Sequence, residues 1–470
     1  MKNSSFNPFL ALFLFGSILW SGCVGVPATA PEEPSPDAPE PPVPNAEPVD
    51  LDGIWSGELA VGTQKLPLVF RTTPEGNWVM DSPQQGATGI PAELSISGDG
   101  LIRITVSAAQ GFYEGRLTPE GIIDGTWNQP GFQAPLLLSR GNAAPVLNRP
   151  QDPKPPFPYR TEEIRIPRDG FDLAGTLTLP DGPGPFPAVI LVSGSGPQNR
   201  DEEILGHRPF AVIADHLTRE GIAVLRYDDR GVAESGGDFA SATSEDLAAD
   251  ALAVLDVLRR RPETDSDRTG LIGHSEGGMI GIYLGYRNPD IPFLVLLAPS
   301  VLSGEEQLLL QNEILMRRMG LDEQSIAANS AINRELYTAA LSDSEPEERR
   351  GRIIEIMTRD AGLPLADAEA QADTLLSPWM RFFLSYDPTA EVNDLAMPTL
   401  ALFGGLDTQV DADANIAPID NPGIEVRSYR GLNHLFQEAE SGLPAEYGSI
   451  SETFNPAVLN DISNWIQALP

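Results

Sequence analysis

The rhythm of hydrophobic and polar positions divides the chain into stretches of different character. Between about Asp52 and Arg140, apolar residues alternate with polar ones in short runs: LPLVFRT, LIRITVSA, FYEGRLT, IIDGTW and APLLLSR. Gly, Pro, Asn and Asp punctuate these runs, so they predict strands with one face buried. The expectation is a small antiparallel sandwich or barrel over residues 51–142, with Trp55, Trp78 and Trp127 in its core. A proline-rich connector follows, residues 143–158.

Beyond it the period changes. EEIRIP and FDLAGTLTLP read as a hairpin, and PAVILVSG is a continuous apolar run, the mark of a strand covered on both faces. A helix is expected around Phe210 to Glu220, then the strand IAVLRYDD, then a helix from Ser244 to Arg261. In the latter, Leu247, Ala251, Val254, Leu255 and Leu258 share one face, and Thr243 with Asp246 is placed to form a capping box. RTGLIGHSEGG, IPFLVLLAPS, PTLALFGGLD and IEVRSYRG supply further strands, and an amphipathic helix carrying Val458, Ile462 and Trp465 ends the chain. Alternating strand and helix imply an α/β fold with a doubly wound, mostly parallel sheet over residues 159–470. Residues 300–393 break the alternation. They are helical and acidic without a strand, which predicts an inserted helical cap.

Charge narrows the function. The 67 acidic residues against 31 basic ones give a formal net charge of -36. That excess repels phosphates and anionic headgroups, so no nucleic-acid partner is expected. Lysine occurs only at positions 2, 65 and 154.

The single cysteine, Cys23, excludes an intrachain disulfide. It closes a leader of Lys2, an apolar run from Phe9 to Trp20, and Ser21-Gly22. The run falls short of the roughly 20 residues of a membrane span and has the build of an export signal. Small residues before a cysteine resemble a bacterial lipobox, with Trp20 where leucine is usual. Residues 1–23 are therefore expected to be a lipoprotein-type signal ending at a lipidated Cys23, with cleavage after Ala28-Thr29-Ala30 as the rival. Residues 24–50 are dense in proline and acidic, a semi-rigid tether. Together these predict export to the cell envelope, with the membrane met only through the N-terminal lipid.

The chemistry concentrates in Gly273-His274-Ser275-Glu276-Gly277, a G-x-S-x-G set between a buried strand and the helical run GMIGIYLGY. That context is a strand–turn–helix elbow, which presents the serine hydroxyl as a nucleophile. A serine needs a base, and the base needs an orienting acid. His434 is the only histidine after Ser275, since His207 and His216 lie upstream and His274 sits inside the elbow. Asp407, just past the strand TLALF, is the favoured acid, with Asp411 and Asp413 as substitutes. Two backbone donors must hold the developing oxyanion. They are assigned to Glu276 and Ser195, with Gly196 in reserve for the second.

Some tempting motifs fail. The run beginning at Asp411 lacks the glycine and glutamate of a calcium loop, having Ile416 and Pro422 there. The Gly194-Ser195-Gly196 run lacks the third glycine of a dinucleotide loop, with Asn199 in its place. No cofactor and no metal are expected. In the cap, Trp379, Phe382 and Phe383 form an aromatic stripe that either walls an acyl-binding pocket or packs the cap. Asp228, Asp229 and Arg230 read as a salt-bridged structural turn.

The ordered set SGSGPQNRDE, RYDDRGVAES, GHSEGG, LFGGLDTQV and GLNHLFQ resembles bacterial alpha/beta hydrolases of the secreted carboxylesterase group. That group is related to the serine aminopeptidase and proline iminopeptidase branch. The resemblance covers roughly Pro158 to the C-terminus and implies a Ser275–Asp407–His434 triad. It opens the oxyanion loop with Ser193 where many relatives have histidine, and it assigns no role to the β domain. The expected activity is cleavage of a small-molecule carboxylic ester through an acyl-enzyme. The alternatives are an aminopeptidase-like serine peptidase with the same triad, and a noncatalytic envelope binding protein using the β domain.

Overall fold

A computed structural model describes residues 51–61, 64–73, 76–82, 87–129, 132–141 and 149–470. The leader, Cys23 and the tether lie outside the described residues, as does the 142–148 part of the connector. The chain divides into two units, with the boundary between Asn148 and Arg149.

The first unit is a closed barrel of eight antiparallel strands in sequence order. They are β1 (Ile54–Val61), β2 (Gln64–Thr72), β3 (Trp78–Ser82), β4 (Ala87–Ile96), β5 (Ile102–Val106), β6 (Gly111–Leu117), β7 (Ile122–Gln129) and β8 (Phe132–Arg140). Closure pairs Trp55 of β1 with Arg140 of β8 and leaves no free edge. Alternation sets the two faces: Ala134, Leu136 and Leu138 are buried while Pro135, Leu137 and Ser139 face out. Trp55, Trp78 and Trp127 enter the core as expected, around Phe70 and Tyr113. The Tyr113 hydroxyl crosses the interior to the carbonyls of Ile123 and Leu136, at 2.9 and 3.1 Å. A Cβ at Gly115 or Gly125 would stand 2.6 Å from that oxygen, so both positions need glycine. The strands β1, β3 and β4 are additions to the sequence reading. Gly57 interrupts β1, Gly89 and Pro91 interrupt β4, and β3 is buried at every position, so the barrel register supplies what local pattern lacks.

The second unit is an eight-stranded sheet in the order β16-β15-β14-β13-β11-β12-β10-β9. The hairpin β9 (Arg160–Arg168) and β10 (Phe171–Leu179) is antiparallel, and β10 pairs antiparallel with β12. The strands β11 (Phe186–Val192), β12 (Ala223–Tyr227), β13 (Thr264–His274), β14 (Leu294–Leu297), β15 (Thr399–Gly404) and β16 (Ile424–Tyr429) run parallel. Helices cover both faces, which is why β11 is apolar throughout. Its Val189 and Leu191 pack toward α1 (Pro209–Arg219) and α11 (Pro456–Ala468). Its Ala188, Ile190 and Val192 pack toward α2 (Ser244–Arg259) and α3 (Glu276–Arg287). The capping box of α2 is present: the Thr243 side chain accepts from the Asp246 amide, and the Asp246 carboxylate accepts from the Thr243 amide.

Between β14 and β15 stand α4 (Gly304–Arg318), α5 (Glu323–Leu341), α6 (Pro346–Arg359), α7 (Leu365–Leu375), α8 (Pro378–Ser385) and α9 (Thr389–Asn393), the expected helical cap. The cap has its own core, where Leu336, Ile353 and Leu384 meet Met279 of α3. A short α10 (Ala412–Ile416) follows β15.

Candidate active site

Ser275 sits between the last residue of β13 and the first of α3, at φ 55° and ψ -116°. A non-glycine residue holds such a conformation only when its surroundings impose it. Here the Ser275 amide donates to the Leu297 carbonyl at 2.8 Å, and close packing fixes the residues on either side. A Cβ on Gly273 would lie 2.0 Å from the Gly277 carbonyl oxygen, and one on Gly277 2.1 Å from that of Val192. The two glycines of the motif therefore follow from the approach of strand to helix.

The loops after β15 and β16 bring Asp407 to His434. Asp407 Oδ2 accepts from His434 Nδ1 at 2.7 Å, and both side chains are buried. The other carboxylate oxygen accepts the amides of Gln409 and Val410 at 2.8 and 2.9 Å, which fixes its rotamer. With Nδ1 donating to a carboxylate, Nε2 is the nitrogen left to accept a proton. His434 is held by its neighbour: Asn433 Oδ1 accepts the amides of Leu435 and Gln437, closing the loop around the imidazole. Asp411, the first substitute acid, instead caps α10 through the Ala414 amide.

The loop Ser193–Arg200 is clamped from below. Asp229 accepts from the Ser193 hydroxyl at 3.1 Å and from the Gln198 amide at 2.9 Å, and Asp228 accepts from the Arg200 amide at 2.8 Å. Arg230 turns to Asp250 at 2.6 Å. The Asp228–Arg230 turn is structural, and the part it holds is the oxyanion loop. The Gly194 amide is engaged with Glu202 Oε1 at 2.7 Å, so the loop's candidate oxyanion donors are Ser195 and Gly196. The Glu276 amide opens α3, where no carbonyl of the same helix precedes it to accept.

Ser275, Ser195 and Glu276 line one cleft under the cap. Leu308, Trp379, Phe383 and Val410 form its apolar wall. Of the aromatic stripe, Trp379 and Phe383 stack 5.5 Å apart on this side. Phe382 is turned away, against the expectation for it. One helical step of about 100° separates it from Phe383. It stacks on Tyr386 at 5.7 Å and meets Tyr283 edge-on.

Some residues near the site had no local sequence signal, because their partners lie far off in the chain. The Glu276 side chain is fully buried and accepts from the Ser244 hydroxyl at 2.6 Å and from the Trp379 indole at 2.7 Å. Burial raises its pKa, and hydrogen bonds from Ser244, Trp379 and Ser195 work the other way. Glu202 and His274 form a buried pair at 2.9 Å behind the serine. Among the described residues no group of three or more His, Cys, Asp or Glu is placed to hold a metal ion.

The chain is similar to several known proteins. The family model described as serine aminopeptidase, S33 matches residues 207–361. Esterase EstD of Thermotoga maritima is 29% identical over 317 residues, covering 66% of this chain and 68% of EstD. Esterase FrsA of Yersinia pestis is 31% identical over 136 residues, and the match spans 28% of this chain and 30% of FrsA. Among solved structures, Est1E from Butyrivibrio proteoclasticus is 18% identical with a TM-score of 0.40, over 65% of this chain and 97% of that one. With the mostly parallel sheet, the elbow and the inserted cap on one chain, and with these sequence relatives, the protein has the alpha/beta-hydrolase fold and is a carboxylesterase-like hydrolase.

Proposed function

We propose that the protein cleaves carboxylic esters by two-step acyl transfer, with Ser275 as nucleophile, His434 as base and Asp407 as its orienting acid. The observation that carries this reading is the buried 2.7 Å contact of Asp407 with His434 Nδ1, in the same unit as a serine held at φ 55° on an elbow. His434 Nε2 takes the hydroxyl proton as Ser275 Oγ bonds to the ester carbonyl carbon. The carbonyl electrons move onto oxygen, where the amides of Glu276 and Ser195 receive the charge. Collapse breaks the bond to the alkoxy oxygen, which leaves with the proton from His434. Water then repeats the sequence on the acyl-enzyme, frees the acid and restores the serine.

The test is hydrolysis of a p-nitrophenyl ester series, acetate to palmitate, by purified protein and by Ser275→Ala. Turnover by the wild type that disappears in the variant supports the reading; no turnover of any ester sinks it. The peptidase alternative draws on the description of the family model that matches residues 207–361. Aminoacyl amides run beside the esters separate the two, since a peptidase cleaves the amides at comparable kcat/KM.

The proposal includes an address. The apolar leader ending at Cys23 supports export and lipid attachment, with residues 24–50 as the tether. Metabolic labelling with a radioactive fatty acid checks it: label present in the wild type and absent from Cys23→Ser is the expected result.

A further inference from the structure

The cleft beside Ser275 holds polar atoms without partners. Glu276 Oε2, Ser300 Oγ and Gln311 Oε1 are buried, and among the described residues none has a hydrogen-bond partner. All three residues line the cleft, and each is at most 5% exposed. Buried polar groups are seldom left so, because each stripped of water without replacement costs free energy. Three in one cleft mark a place whose complement comes from outside the chain.

The chemistry of that complement follows from the atoms. A carboxylate oxygen accepts, an amide oxygen accepts, and a serine hydroxyl does either. The occupant must therefore bring hydrogen to donate. The lining of the cleft includes no arginine, lysine or histidine. An anionic group would thus meet Glu276 with nothing to offset it. A plain alkyl chain would leave all three atoms dry and unpaired, although Leu308, Trp379, Phe383 and Val410 give it apolar surface to lie on.

We infer that the preferred substrate carries a hydrogen-bond donor, a hydroxyl or a protonated amine, close to its scissile carbonyl, and that Glu276 selects for it. This rests on the ester-hydrolase reading and narrows it. Glu276 then serves at two points: its amide faces the oxyanion, and its side chain reads the neighbouring substituent. Ser244 and Trp379 hold the carboxyl in place through Oε1, which leaves Oε2 for the substrate.

Matched esters supply the test. Ethyl propionate, ethyl lactate and alanine ethyl ester differ only in the substituent on carbon two. Methyl butyrate, methyl 3-hydroxybutyrate and methyl 3-aminobutyrate move it to carbon three. Hydrolysis is followed by pH-stat for the full chain, for Glu276→Gln and for Gln311→Leu. The expected result is a kcat/KM at least about tenfold higher for a hydroxy or amino ester than for its alkyl partner. That ratio should collapse toward one in Glu276→Gln, whose amide nitrogen replaces the accepting oxygen. A smaller loss in Gln311→Leu keeps the test alive if Glu276→Gln does not fold. The hydroxy and amino arms tell a neutral donor from a cationic one. Equal or better turnover of the alkyl esters overturns the inference and leaves the hydrolase reading standing. So does a donor preference that survives both variants. Failure to hydrolyse any ester overturns the hydrolase reading and this inference with it.

Discussion

His274 donates from Nε2 to the backbone carbonyl of His434 at 2.9 Å, and the two rings pack with centroids 4.8 Å apart. On its other side, Nδ1 of His274 faces Glu202 Oε1 at 2.9 Å, and the same oxygen accepts the Gly194 amide. One buried ion pair thus ties the oxyanion loop to the loop of the base. A carbonyl on one side and a carboxylate on the other ask both ring nitrogens to donate, which is the imidazolium form. Burial opposes that charge, but the Glu202 carboxylate outweighs it, and the His274 pKa is raised above its ordinary value.

A raised histidine pKa sets the direction of a pH effect. The stabilisation from this pair is complete below about pH 6.5, the ordinary histidine value, and is lost as pH rises through the folded-state value. Glu202→Gln removes the cause of the shift. Its melting temperature should fall below the wild type most at about pH 5–6, with the gap closing toward alkaline pH. Thermal unfolding followed by circular dichroism across that range measures it, and a pH-independent gap would count against the ion pair.

Asp229 gives a second pH dependence. Burial pushes its carboxyl up to about 8, against hydrogen bonds from Gln198 and Ser193 and with help from Glu276 and Glu202. An acid whose pKa is raised by folding binds a proton that the unfolded chain has already released. Stability should therefore decline as pH rises from about 4, the ordinary aspartate value, to about 8. Asp229→Asn removes this titration and should flatten the melting-temperature profile over that interval. An unchanged slope in the variant denies Asp229 the effect.

For the proposed triad, Ser275→Ala should lower kcat by about 10⁶ and Asp407→Asn by about 10⁴. KM should move little in either, because neither change removes a binding wall. Stopped assays on long incubations reach such residual rates. A fluorophosphonate probe should add its mass to the peptide containing Ser275 in the wild type only.

The elbow predicts a contrast between two glycines. Gly277→Ala puts a Cβ 2.1 Å from the Val192 carbonyl oxygen, and should cost about 3 kcal/mol or more as strand and helix separate. Gly351, inside α6, has nothing within 4 Å of the same atom, so Gly351→Ala should stabilise by about 0.5–1 kcal/mol. Urea denaturation of both variants compares them directly, and similar values would argue that the elbow is looser than described.

Local pattern determined a good deal of this protein. Period-two alternation marked a small β domain, continuous apolar runs marked strands covered on both faces, and the long strandless interval marked the cap. These signals are legible because burial acts on each element through its own residues. The order of Ser275, Asp407 and His434 was readable for a similar reason, since each follows a recognisable strand. What the pattern left open were relationships between elements. Closing the barrel and adding β1, β3 and β4 needed the register of neighbouring strands. Placing Asp407, and not Asp411, against His434 depended on two loops that meet only in the folded chain. Turning Phe382 away while Trp379 and Phe383 face the cleft depended on how α8 is rotated against the cap core. The three partnerless atoms of the cleft, on Glu276, Ser300 and Gln311, come from separate segments and have no common signature in the chain. Hydrophobic periodicity is written into each segment, whereas burial of a polar atom without a partner is a property of the whole packed unit. Only the tertiary structure decides it.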